Sequence, residues 1–448
     1  MLVQAVSLLT SFVVSLIVPK YIDILDYSHW QTYVLYSSYV SIFQFGLIDG
    51  FVLKYSKYDY DELDKEEIRS QLQVFLAFLT TVSLFTIFVS VFFLDGVAKI
   101  LGILLAISIV LKNHFWYSST ICQITYRIDK YSKITILQRV SYLIGVIILL
   151  VVGAKAFFWY CIADIIGDIL SGILAVRYNK ELSFGRIKNV RNTLKNIWDN
   201  LKCGISLLLA NYSTALIIGA AKMLVQFRWG DITFGKISFG FSLTNLFLTF
   251  ITAISVVLFP SLKRIDENKL PMMYSKIRKL STLVLFVALA FYYPIALVIN
   301  AWIPKYAESI SYMLYLLPIV AFVTRTNLLT NNYLKIFRRE KQMFVINIIF
   351  ALIGIGLYSL CAFIFNNLLG ILISVVVIEI FKFFVSEIVV CKDIKSKYIV
   401  NSLGEIVLVA IFYLAMIYLQ PLPATLVYLS FVLFYGAYSY IVSRKSVI

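Results

Sequence analysis

The chain has 448 residues, 61% of them hydrophobic and 16% aromatic but only 14% charged, where a soluble domain carries about 45–50% apolar and about 25% charged residues. That balance excludes a soluble enzyme, a disordered chain and a small disulfide scaffold. The 40 Lys and Arg outnumber the 24 Asp and Glu, an excess that in a membrane protein must first be set against loop topology.

A transmembrane helix needs about 20 mostly apolar residues. In chain order such stretches are Leu2–Val18, Trp30–Ile48, Leu72–Leu94, Ile100–Ile121, Ile134–Val152, Phe157–Val176 and Cys203–Ala221. A second series follows: Thr233–Phe259, Leu280–Ile299, Ile310–Leu329, Phe344–Phe365, Leu368–Val390, Leu403–Leu419 and Pro423–Val442. The connections among these fourteen spans are too short for a folded soluble domain. The first span has no basic n-region and no small-residue cleavage site, so it reads as a retained span rather than a signal peptide. Its abrupt beginning suggests a start a few residues late. Cys122, Cys161, Cys203, Cys361 and Cys391 are scattered, which indicates neither a disulfide framework nor a metal site. No cofactor motif occurs.

Lys and Arg orient the spans. With the N-terminus inside, 30 of the 40 fall on the inner side and 7 on the outer, while Lys112, Arg325 and Lys382 lie within spans. This positive-inside bias predicts a multi-pass protein of the cytoplasmic membrane with both termini cytoplasmic. The basic charge then calls for no nucleic acid partner. The basic stretch Asn189–Asn200, with Val190, Leu194, Ile197 and Trp198 among its charges, reads as an amphipathic interfacial helix.

The spans repeat. Ser15-Leu16-Ile17-Val18 resembles Ala215-Leu216-Ile217-Ile218, and Tyr126-Arg127-Ile128-Asp129-Lys130 resembles Phe337-Arg338-Arg339-Glu340-Lys341, 211 residues on. Asp164 precedes Arg177 as Glu379 precedes Lys392. The rising offset predicts an all-α membrane protein of two parallel six-helix lobes. The expected organisation is an N-lobe over 1–176, a basic cytoplasmic linker over 177–202, a C-lobe over 203–390 and two extra spans over 391–448.

This pattern resembles the Wzx-like polysaccharide transporters of the multidrug/oligosaccharidyl-lipid/polysaccharide (MOP) exporter superfamily, over nearly the full length. Its local markers are Phe45-Gly46-Leu47-Ile48-Asp49-Gly50 with Leu53-Lys54-Tyr55, and Gly235–Leu243 leading to Leu258-Phe259-Pro260-Ser261-Leu262. Where many relatives carry an acid near the end of the seventh span, this chain has Lys222. The resemblance implies a V-shaped bundle that moves an undecaprenyl-diphosphate-linked oligosaccharide from the inner to the outer leaflet by alternating access. Such a flippase serves capsule, exopolysaccharide or O-antigen synthesis. Its partners would be that glycolipid, membrane lipids and the polysaccharide polymerase machinery, with the chain acting as a monomer.

A diphosphate head crossing about 30 Å of hydrocarbon needs cationic, hydrogen-bonding groups. Lys112-Asn113 in span four and Arg325 with Asn327 in span ten stand at equivalent depths, 213 residues apart. Either the two cations face each other across a central cavity, or each snorkels or pairs within its own lobe. Lys222 and Arg228, with Lys236, break the positive-inside pattern at the outer end of spans seven and eight. They form either a receiving site for the diphosphate or a solvated loop partly neutralised by Asp231. Asp164 and Asp168, four apart in span six, and Glu379 in span twelve are candidate ion-coupling groups; Lys382, three on from Glu379, offers plain neutralisation instead. His114 reads as a packed polar residue. Competing functions are a cation-coupled drug exporter of the same superfamily and, from another class, a membrane polysaccharide polymerase or glycosyltransferase. Outer loops of about ten residues leave little room for such an enzyme.

Overall fold

A computed structural model describes residues 2–187, 189–263, 269–394 and 399–445, although the side chains of 249–263, 399–402 and 439–445, and a few others, fall outside that description. The Leu258–Leu262 run therefore lies outside the described side chains. Every described element is helical. In hydrocarbon this is the economical solution, because a helix satisfies its own backbone groups. All fourteen expected spans fall on helix. By length and apolarity alone, eight of the described helices qualify as membrane spans, or ten when two bent pairs are each counted once.

Three spans are broken, and hydropathy is blind to all three. Span two runs as Ile24–Ser37, a tight turn Val40–Gln44, and Leu47–Tyr55. Its break carries Phe45 at φ 49° and Gly46 at φ 91°, the left-handed region that favours glycine. Span nine bends by 41° between Leu270–Leu289 and Tyr292–Trp302. Span ten bends by 49° between Pro304–Leu316 and Ile319–Ile336, where Pro318 has no N–H to donate. Spans seven and eight form one helical run, Val190–Lys263, interrupted only at Gly230 (φ 81°, ψ 179°).

The repeat is written in the backbone turns. After span four, Tyr126 takes φ 57°, and the Arg127 amide donates to the Cys122 carbonyl at 2.9 Å. After span ten, Arg338 takes φ 54°, and the Arg339 amide donates to the Leu334 carbonyl at 2.7 Å. Both are the same left-handed C-terminal cap. Arg127 then reaches Asn179 at the end of span six, as Arg339 reaches Asp393 at the end of span twelve, 2.9 Å away. The true register is thus one residue later than side-chain similarity places it: Arg127 corresponds to Arg339, not Arg338.

The chain forms two compact units, Met1–Tyr212 and Ser213–Ile448. The division falls inside span seven, so the connector helix from Val190 to Tyr212 belongs with spans one to six. Span thirteen joins the second unit through buried charge, described below. The core of the first unit packs Leu72, Phe75 and Leu79 against Ile109, Tyr117 and Ile121, with Leu182 closing one end.

Candidate functional site: buried charge in each unit

In the first unit, Lys112 of span four meets both carboxylates of span six. Its Nζ donates to Asp164 Oδ2 at 2.7 Å and to Asp168 Oδ2 at 2.9 Å. Asp164 and Asp168 share a helix face because four residues make about one turn. Span two adds Tyr33, whose hydroxyl donates to Asp164 at 3.1 Å and meets Ser108 at 2.9 Å. Span five adds Gln138, donating to Asp168 Oδ1 at 3.2 Å. Lys112 and Asp164 keep 15% and 16% side-chain exposure, and Asp168 only 2%. Lys112 is accordingly no free cation: its ammonium is shared between two acids. The group carries one positive and two negative formal charges, a residual charge of minus one.

In the second unit the equivalent positions have diverged. Arg325 does not meet Glu379, the partner the repeat would supply; Lys382 does, at 2.6 Å, with both side chains fully buried. Glu379, offered by the sequence for ion coupling, has here the plain neutralisation that Lys382 also offered. Arg325 turns instead to Glu405 of span thirteen, Nη1 to Oε2 at 2.5 Å, both 0% exposed. Its guanidinium also lies 4.3 Å from the centre of the Phe383 ring. Arg278 of span nine closes the network, reaching Glu405 at 3.2 Å and Glu387 of span twelve at 2.7 Å. Tyr274 donates to Glu387 at 2.8 Å. Two arginines and two glutamates cancel. The expectation of a diphosphate clamp at Arg325 meets a side chain already engaged and sealed within its own unit.

The outer group separates into three fates. Lys236 pairs with Glu308. Arg228 is exposed and donates Nε–H to the Ala362 carbonyl at 3.3 Å, while Asp231 accepts from Gln226 at 2.8 Å. Lys222 is only 9% exposed and has no carboxylate partner among the described residues. Its Nζ lies 5.0 Å from the centre of the Phe241 ring in span eight, a cation–π contact.

The amides have local duties. Asn113, fully buried, donates to the Ile109 carbonyl at 2.7 Å and to the Val40 carbonyl at 3.0 Å. Val40 opens the turn that breaks span two, so Asn113 satisfies a carbonyl there and ties the break to span four. Offered by the sequence to substrate, its amide nitrogen is here engaged by backbone carbonyls. Asn113→Leu is expected to cost about 1–3 kcal/mol, the penalty of an orphaned buried carbonyl. Thermal unfolding in detergent measures it, and unchanged stability would remove this role. Asn327 sits in a π-turn, Thr326–Thr330, and accepts from Asn331 at 3.1 Å. His114 lies 3.5 Å from Ser118, and a Cβ at Gly172 would stand 3.5 Å from its Nδ1.

Sequence reading missed Glu405 and Arg278. Glu405 is the sole charged residue between Ile399 and Tyr418, and an acid so placed demands a partner. Arg278 was counted with the loop cations because the hydropathy of span nine begins at Leu280, whereas the helix begins at Leu270.

No family model matches the chain, and no curated protein matches it. Solved structures do match in fold. The lipid II flippase MurJ, in an inward closed conformation, superposes with a TM-score of 0.68 at 13% identity, covering 100% of this chain and 98% of its own. An inward-facing multidrug resistance MATE family transporter of the MOP superfamily gives 0.67 at 14% identity, over 88% of this chain and 94% of its own. A MOP superfamily transporter from Pyrococcus furiosus Vc1, whose work reports a binding pocket of reverse polarity, gives 0.52 at 14% identity over 88% and 99%. The chain has the MOP transporter fold. At such identities the likeness carries fold alone: an all-α architecture rich in apolar helices long enough to cross a membrane.

Proposed function

We propose that this chain is a flippase that carries an undecaprenyl-diphosphate-linked oligosaccharide from the inner to the outer leaflet of a bacterial cytoplasmic membrane. The observation that carries the reading is Lys222, a buried cation without a carboxylate among the described residues, on the seventh span where relatives of the Wzx-like kind often hold an acid. An ammonium left against Phe241 retains its charge for an incoming oxyanion, since a charge-assisted bond to phosphate is stronger than a cation–π contact. Exposed Arg228, six residues on, supplies a second contact. The glycolipid's tail stays in lipid while its head crosses. Polysaccharide synthesis is the setting that such a cargo serves. The 30-to-7 distribution of basic residues supports cytoplasmic termini.

The Lys112–Asp164–Asp168 group is the coupling site in this reading. A residual negative charge in a low-dielectric interior costs several kcal/mol unless it is neutralised, so the group takes up a proton or a sodium ion. Asp168→Asn removes the residual charge while keeping the shape. Flipping driven by an imposed gradient across proteoliposomes should then fall about tenfold, the scale of one coupled site, with ungraded exchange retained. Gradient dependence unchanged in Asp168→Asn would remove the coupling role. Drug export, the second reading, predicts gradient-driven uptake of a cationic dye by the same vesicles.

A further inference from the structure

The connector helix docks on spans two and three through a contact unlike the rest of the first unit. Thr193, Asn200, Gly204 and Leu208 form its buried face, at spacings that keep them on one side of a helix. Asn196 donates to Glu67 Oε1 at 2.9 Å and Asn200 to Gln71 Oε1 at 2.8 Å. Beside them the backbones touch. A Cβ at Gly204 would stand 1.9 Å from the Gly46 carbonyl oxygen, and one at Gly50 would stand 2.1 Å from the Asn200 carbonyl oxygen. Gly46 and Gly50 are four apart, the spacing that lets membrane helices approach closely. Ile197 and Leu201 are only partly buried there. The opposite face of the helix shows Val190, Leu194 and Trp198, all more than half exposed, which suits a headgroup layer.

We infer that this contact is a clasp, shut in the present structure, that parts when the cytoplasmic end of the transport path opens. The inference rests on the alternating-access reading above. The aliphatic core around Phe75 and Leu79 loses its burial energy if it separates. Amide pairs and bare backbone do not: water replaces each partner, and the net loss per hydrogen bond is small. A surface that opens once per cycle is therefore better made of Gly, Asn and Gln than of Leu and Phe. The span-two side of the clasp begins at the Phe45–Gly46 break, and Leu47, Ile48 and Phe51 hold the piece after it in the core, so the connector helix is the part that lifts away. The connector side is one continuous helix through this contact.

The test uses the full chain in lipid nanodiscs, its native cysteines replaced, with spin labels at Glu66→Cys and Lys195→Cys, exposed positions next to the paired side chains. Two distance populations are expected, one short and one longer. Gly204→Ala or Gly204→Leu, which cannot seat against Gly46, should raise the long population about tenfold. Cross-linking the same two cysteines should stop lipid flipping, and reduction should restore it. A single short distance in the labelled protein and in both folded Gly204 variants overturns the clasp, as does full transport by cross-linked protein. The distances need no substrate: two populations without glycolipid transport would keep the clasp and sink the cargo assignment.

Discussion

Glu405→Gln should destabilise the second unit by about 3–5 kcal/mol, the scale for removing one partner of a buried ion pair. Glu405 is fully buried and binds Arg325 at 2.5 Å and Arg278 at 3.2 Å. Two Arg325 nitrogens, Nε and Nη2, already have no hydrogen-bond partner among the described residues. Without Glu405 that guanidinium would lose its one direct carboxylate contact among the described residues, and a buried cation in hydrocarbon is costly. Glu405→Gln should therefore show a sharply lower thermal midpoint in detergent and less folded protein in the membrane. The double variant Arg325→Met with Glu405→Leu should recover most of the loss, because apolar residues of similar volume often replace a buried pair without penalty. Wild-type stability in Glu405→Gln, or no recovery in the double variant, would contradict this assignment.

Lys222 should behave in the opposite way. It is a buried cation with no acid to lose, so Lys222→Met is expected to leave stability unchanged or raised. Transport should nevertheless fall. A charge-assisted contact to phosphate is worth about 1.5–3 kcal/mol, or roughly ten- to a hundredfold in affinity. Lys222→Gln and Lys222→Met should lose that much flipping at equal membrane abundance. Lys222→Arg should keep a part, since charge survives in a different shape. Lys222→Glu should abolish it. Parallel loss of stability and transport in Lys222→Met would make the residue structural.

The span positions were legible because hydrocarbon imposes one length and one apolarity on every crossing helix. The repeat was legible too, although side chains misplaced its register by one residue and the caps at Tyr126 and Arg338 corrected it. The breaks in spans two, nine and ten were not legible, since Ser38–Gly46 and the residues around Pro318 keep the hydropathy of an unbroken helix. Charge was legible as burial but not as pairing. Lys382 at three residues from Glu379 announced its partner, because local spacing fixes geometry. Arg325 did not: its partner lies 80 residues away in sequence, on a span outside the repeat. The symmetry argument that paired Lys112 with Arg325 stands one residue out of the register the caps give, and each cation is spent on acids within its own unit. Lys222 gained importance by elimination, once Lys236 proved to be held by Glu308.

The central claim is that an anionic lipid-linked glycan is the cargo. The most direct measurement reconstitutes the purified full chain in liposomes carrying a fluorescent undecaprenyl-diphosphate-linked oligosaccharide and follows its transfer between leaflets by quenching from one side. The account predicts protein-dependent transfer of that lipid, slowed roughly ten- to a hundredfold by Lys222→Gln, and no comparable transfer of an uncharged glycolipid. Equal transfer by wild type and Lys222→Gln, or transport of a cationic dye in place of the glycolipid, would contradict it.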